Sequence, residues 1–332
     1  MVLRTLAVPS RHRSAADAER RPARREGTRP AMRVPGPGRA VPDPVDAALP
    51  DIDWAAIGPD LRRCSLRVPS GRLAGLASGA VGSPRVVLAP GITGSKEDFR
   101  LLLPAFAAAG YLAEAYDAAG QYESTAAGPE NLGAARRWDY DLFVDDLIAV
   151  IEQASSPVHL LGHSFQAVVA QLVAVRRPEL VASLTLLSPP PLVGDALRWT
   201  RPVGAVSPVL PASVVAGIVR WSIRHNVQHV PPGRQRFVES RFALTRVDAH
   251  VASIGLLRHV PDVRAAVRLT GLPVLVAVGE GDVWSVGLHE RYAGDLGAAL
   301  RVYPGGHSPC ESAPHALGRD MLALFESARG PR

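Results

Sequence analysis

Short apolar runs recur along the chain, each closed by glycine, proline or a polar residue. They read RVVLAPG from Arg85, YLAEAYD from Tyr111, VHLLGHS from Val158, SLTLLSPP from Ser183, PVLVAVGEGD from Pro273 and RVYPGGH from Arg301. Continuous runs of this length, rich in Val and Leu, predict strands buried on both faces. Between most of them apolar residues return at helical spacing, as in DLFVDDLIAVIEQ from Asp141 and FQAVVAQLVAVRR from Phe165. Strand alternating with helix predicts an α/β fold, a mainly parallel sheet covered by helices on both faces. Ahead of it, LRRCSLRVPSGRLAGLASG predicts two strands around a turn at Pro69-Ser70-Gly71. From about Leu192 to Leu269 the strand signal stops. Helix-compatible pieces from Ala212 and from Arg234 flank Pro231-Pro232-Gly233, which predicts a helical cap inserted between two strands. The expected division is therefore a tail over 1–55, a core over 56–192 and 269–332, and a cap over 193–268.

Composition changes this picture mainly at the N-terminus. The 332 residues are 47% hydrophobic and 20% charged, an ordinary globular balance. Residues 1–50 hold ten arginines against five acids, which supplies +5 of the net +6. That segment has no apolar periodicity and is expected to be a disordered, Arg/Pro-rich extension. Acids interrupt its arginines and no aromatic residue lies among them, so binding to nucleic acid is not expected. Lys96 is the single lysine against 36 arginines, a bias expected of a GC-rich bacterial genome. Cys64 and Cys310 form no disulfide or metal-ligand pattern, which fits a reducing, cytoplasmic setting. No apolar h-region follows the basic start, so no signal peptide is expected. The uncharged run Pro202–Val219 is interrupted by Pro208 and Pro211 and is expected to be buried or lid-like, not a membrane span.

Ligands of a parallel sheet meet the protein at the carboxyl ends of its strands. Three polar residues end apolar runs there: Ser164, Asp282 and His307. Gly162-His163-Ser164 runs from a strand into a helix, the pattern that can hold one side chain in a strained, exposed turn. Taken alone, Ser164 is equally consistent with a helix cap, Asp282 with a turn aspartate and His307 with a loop histidine. Asp195 is a rival acid. His163 and His159 are read as structural.

The chain resembles the α/β-hydrolase superfamily over roughly residues 60–328. LAPGITGSKEDF resembles the loop after the third strand, YDAAGQYES the block written DLRGHGRS in relatives, LLGHSFQA the nucleophile elbow, VAVGEGDVW the acid loop and GGHSPCESAP the histidine loop. The resemblance implies an eight-stranded-type sheet with an inserted cap, as in the esterase- and lipase-like branch. It also implies Ser164 as nucleophile, His307 as its base and Asp282 as the group that orients the imidazole. The backbone N–H groups of Ile92 and Phe165 would form the oxyanion hole. Pro90, Gln166, Ala119 and Tyr122 depart from the usual pattern; Gln166 stands where a second glycine of G-x-S-x-G is expected.

A serine at the elbow disfavours the dehalogenase and epoxide-hydrolase branches, which attack with aspartate. The leading expectation is hydrolysis of a small to medium, largely apolar ester. The alternatives are the same triad used on a C–C bond, thioester or amide or for perhydrolysis, and a non-catalytic ligand-binding homologue. Trp199, Trp221 and Gln166 are the candidate pocket residues; Trp199, Trp221 and Phe242 are equally consistent with the cap's own core. Arg220, Arg224, Arg234 and Arg236 are read as a solvated face in preference to an anion site. No cofactor or metal is expected, and the glycines near Lys96 lack phosphate-loop spacing. The sequence leaves the oligomeric state open.

Overall fold

The computed structural model of the chain describes residues 38–133, 136–154, 157–198, 200, 210–225 and 230–329. In chain order the strands are β1 (Gly38–Arg39), β2 (Arg62–Val68), β3 (Gly71–Ser78), β4 (Arg85–Ala89), β5 (Leu112–Tyr116), β6 (Val158–His163), β7 (Val181–Leu187), β8 (Val274–Gly279) and β9 (Ala299–Tyr303). The helices are α1 (Pro44–Ala47), α2 (Leu102–Ala108), α3 (Tyr140–Glu152), α4 (Phe165–Arg176), α5 (Ala212–Arg224), α6 (Pro232–Leu244), α7 (Val247–Leu256), α8 (Arg264–Leu269), α9 (Val286–Leu296), α10 (Pro309–Ser312) and α11 (Pro314–Ala328).

The strands form one sheet in the order β1-β9-β8-β7-β6-β4-β5-β3-β2. All pairs are parallel except β2 with β3 and β3 with β5. Every residue of β4, β6 and β8 is buried, as their unbroken apolar runs require. Their side chains alternate between two cores. Val87, Leu160 and Val276 pack with α3, α4 and α9, whereas Val86, Leu161 and Leu275 pack with α2 and α11. The sequence reading of hairpin, parallel sheet and two helical layers holds, with one strand more than the eight expected.

The added strand corrects the expected tail. Residues 1–37 lie outside the described residues, but the chain from Gly38 is already part of the fold. Gly38 and Arg39 pair with Arg301 and Val302 of β9, and the Ala40 N–H donates to the Val302 carbonyl at 2.9 Å. Asp46 accepts from the backbone N–H groups of His315 and Ala316 at 2.9 and 3.0 Å. The first turn of α11 thereby gains an acceptor that its own cap residue, Ala313, cannot supply. Trp54 is buried. These attachments use backbone edges and one carboxylate, which leave no periodic apolar signature.

Between β7 and β8 lies an insertion that contains α5, α6 and α7. A bridge between Gly194 and Val260 closes its neck. α8 was expected within the inserted region but packs with α9, and its Val267 joins the sheet's core. A short helix next to a helical insertion carries no boundary signal of its own. Among the described residues no helix is long and apolar enough to cross a membrane.

Candidate active site

The strand β6 ends at His163 and α4 begins at Phe165, so the whole change of direction falls on Ser164. Its backbone is driven to φ 53°, ψ −117°, a conformation that costs a non-glycine residue about 1–3 kcal/mol. Neighbouring backbone holds it there: the Ser164 N–H donates to the Leu187 carbonyl of β7 at 2.8 Å, and Ala167 N–H donates back to the Ser164 carbonyl at 2.9 Å. A Cβ at Gly162 would lie 2.3 Å from the Gln166 carbonyl oxygen, so only glycine lets α4 start this close to its strand. This close approach involves the backbone of residue 166, whose side chain is buried; the turn forms without a second glycine. The Gln166 amide oxygen has no hydrogen-bond partner among the described residues.

The three sequence-predicted side chains meet. His307 Nε2 lies 3.0 Å from Ser164 Oγ, and His307 Nδ1 lies 2.8 Å from Asp282 Oδ1. A contact between the acid and histidine loops sets this arrangement. Glu280 N–H donates to the Tyr303 carbonyl and Gly281 N–H to the Gly305 carbonyl, both at 2.9 Å. A Cβ at Gly279 would fall 1.9 Å from the Gly306 carbonyl oxygen. Burial opposes ionisation of Asp282, but the His307 imidazole beside it outweighs burial and holds the carboxyl below the usual range. Asp195, the rival acid, instead accepts from Leu197 N–H at 3.0 Å in its own turn.

The loop after β4 lies on the serine, since a Cβ at Gly91 would be 3.3 Å from Ser164 Cβ. The N–H groups of Ile92 and Phe165 donate no hydrogen bond within the described residues. For Phe165 this follows from its place as the first residue of α4, and stacking of its ring on Tyr140 at 5.6 Å fixes the helix start. His163 is neutral: burial, then the neighbouring His307, push it down to about 4. Its Nε2–H donates to the His307 carbonyl at 3.0 Å. His159, likewise pushed down to about 4 by burial, bonds Ser183 Oγ at 2.8 Å. Both rings are buried and each is hydrogen-bonded to a neighbouring element.

The expected pocket residues fare differently. Trp199 lies outside the described residues. Trp221 is 57% exposed on α5 and packs on His225, so the structure does not bring it to the serine. Its polar neighbours along α5, Ser222 and Arg224, do not mark which side of the helix faces inward. Phe242 packs on His250 within the insertion. Trp284, two residues beyond Asp282 and without a local motif of its own, also borders the site: it is buried, 5.7 Å from the His307 ring, and its Nε1–H donates to the Ala196 carbonyl at 2.8 Å.

The solvated arginine face is corrected for Arg234. Its guanidinium is buried and bonds both Asp98 and Glu311 at 2.6 Å. Arg241 joins Asp98 as well and donates to Ser95 Oγ at 3.1 Å. The two arginines hold the Asp98 carboxyl down at about 2 against its burial. Lys96 is also buried, paired with Asp117 at 2.8 Å, Glu97 at 3.0 Å and Glu123 at 2.9 Å. Arg220 is half-buried over the Phe242 ring, while Arg224 and Arg236 are exposed.

A mainly parallel sheet that presents a serine on a strained strand-to-helix turn, with histidine and aspartate arriving from later strands, defines an α/β hydrolase. The chain belongs to the alpha/beta hydrolase family, whose profile matches residues 86–319. No curated protein sequence matches it. Among solved structures it is similar to a hydrolase from Pseudomonas aeruginosa PA01, at 22% identity over 80% of this chain and 98% of that one, with a TM-score of 0.61. It is similar to an esterase from Exiguobacterium antarcticum at 17% identity, over 80% and 100% of the two chains, with a TM-score of 0.63. An epoxide hydrolase from Vigna radiata matches at 16% identity, over 82% and 100%, with a TM-score of 0.60. At these identities the likeness is one of fold.

Proposed function

We propose that the protein is a serine hydrolase that cleaves a small to medium, largely apolar carboxylic ester through an acyl-enzyme. The unbroken hydrogen-bonded chain Ser164–His307–Asp282 carries this reading. His307 Nε2 takes the Ser164 proton as Oγ attacks the carbonyl carbon, and returns it to the leaving alcohol. Asp282 keeps the Nδ1–H tautomer and stabilises the imidazolium without accepting the proton. The unengaged N–H groups of Ile92 and Phe165 receive the charge that develops on the carbonyl oxygen. Water, activated by the same imidazole, then releases the acid.

The test uses nitrophenyl esters of increasing acyl length and a fluorophosphonate label. Wild-type protein is expected to turn over the esters and to be labelled at Ser164. Ser164→Ala is expected to abolish labelling and to lower kcat by about 10⁴-fold or more. Turnover that survives in Ser164→Ala would remove the nucleophile from this reading.

A further inference from the structure

We propose that His289 is a positioning residue, fixing the outer oxygen of Asp282 and extending the chain to Ser164–His307–Asp282–His289; this rests on the serine-hydrolase reading above. His289 sits on α9 and is fully buried. Among the described residues neither of its ring nitrogens has a hydrogen-bond partner, and neither has Asp282 Oδ2. These unmatched groups face each other, with His289 Nε2 at 3.6 Å from Asp282 Oδ2. That separation is just beyond a hydrogen bond, and a buried donor and a buried acceptor left unpaired are both costly. A shift of about half an ångström satisfies both. The ring of Trp284 stands edge-on to His289, 6.3 Å away at 86°, and confines the imidazole on another side.

His289 is neutral, burial having pushed it down to about 4 despite the pull of Asp282. A neutral imidazole carries one N–H, and the pairing with Asp282 places it on Nε2. The carboxylate then has both oxygens assigned, Oδ1 to His307 and Oδ2 to His289, and cannot swing off the His307 ring. The donor on Oδ2 also draws charge from Oδ1, which makes the Asp282–His307 pair less basic. The titratable groups bearing on this pair are each other, His307 and, beside His307, His163. The buried Ser188 hydroxyl, also without a partner among the described residues, is a second donor beside the carboxylate and lowers its pKa as His307 does.

The experiment uses the full chain and a nitrophenyl butyrate substrate. His289→Phe keeps a ring but removes the N–H; it is expected to lower kcat about tenfold, the loss of one hydrogen bond, with KM within about twofold. The acid limb of kcat/KM is expected to move to higher pH. His289→Gln returns a donor near the Nε2 position and is expected to recover most of kcat and the original limb. Equal losses in the two variants with an unmoved limb, or no loss in His289→Phe, overturn the proposal. ¹⁵N spectra of the wild-type imidazoles, recorded without substrate, are expected to show His289 neutral with its proton on Nε2. A proton on Nδ1 overturns the proposal whether or not an ester is hydrolysed or the Phe variant folds. If wild type neither hydrolyses esters nor accepts fluorophosphonate, the serine-hydrolase reading falls, and the spectra alone judge His289.

Discussion

At the scale of single residues the candidate site is built from close approaches that side chains forbid. Ser164 can stand in its strained turn because Gly162 lets the first turn of α4 press against β6. His307 can reach both partners because Gly279 lets the histidine loop rest on the end of β8. Neither glycine touches the serine hydroxyl, yet each fixes where an entire loop lies. Gly279→Ala places a methyl 1.9 Å from the Gly306 carbonyl oxygen, and backbone is the only thing that can give way. The expected stability loss is about 1–3 kcal/mol, the usual range for overpacking. Because the displaced loop carries His307, ester turnover and fluorophosphonate labelling should fall more than stability does. Urea unfolding beside labelling rates checks this; a variant with reduced stability but a wild-type labelling rate would show that the loop contact does not set the imidazole.

At the scale of elements, the polar interior between the insertion and the sheet was the least legible part of the sequence. Four arginines in a helical segment look like a solvated face, and one glance at local pattern cannot show that Arg234 points to acids 136 residues earlier and 77 later. Asp98 follows the loop that carries Ile92, and Glu311 follows His307 by four residues. Arg234 therefore ties α6 to both loops of the site, with Trp54 stacked 4.4 Å from its guanidinium. Removing one member of such a buried group leaves uncompensated charge and costs about 3–5 kcal/mol, whereas an apolar replacement of the whole group can be neutral. Arg234→Met is accordingly expected to lose about 3–5 kcal/mol by urea unfolding. Arg224→Met, on the exposed face of the insertion, is expected to stay within about 0.5 kcal/mol. Comparable losses in the two variants would contradict the clamp.

At the scale of the whole molecule, legibility followed range. The sheet, its two helical layers and the Ser164, His307 and Asp282 positions could be read because strand-ending residues announce themselves locally. Gly38–Trp54 could not, because it is held by a sheet edge and a helix end that lie more than 200 residues away. The same long-range burial leaves the molecule with titrating groups that pull stability in opposite directions. His159, His163, His250 and His289 are each pushed down to about 4 by burial, so each favours unfolding as pH falls from about 6.5 towards 4. Asp146 acts the other way: burial raises it to about 6, against hydrogen bonds from the Ser70 N–H and hydroxyl. Asp117 is raised by burial as well, against the pull of Lys96. A carboxyl raised in the folded state binds its proton more tightly there, so its contribution is full below the unfolded value near 4 and is lost as pH rises through about 6. Asp146→Asn cannot titrate but keeps an oxygen for the Ser70 N–H and gains an amide for its hydroxyl. The stability of the Asn variant relative to wild type should therefore rise between pH 4 and pH 7 by roughly 2–3 kcal/mol, two pKa units of linkage. Urea midpoints of the two proteins across that range measure it, and a difference that stays constant with pH would show that Asp146 titrates alike in the folded and unfolded chains.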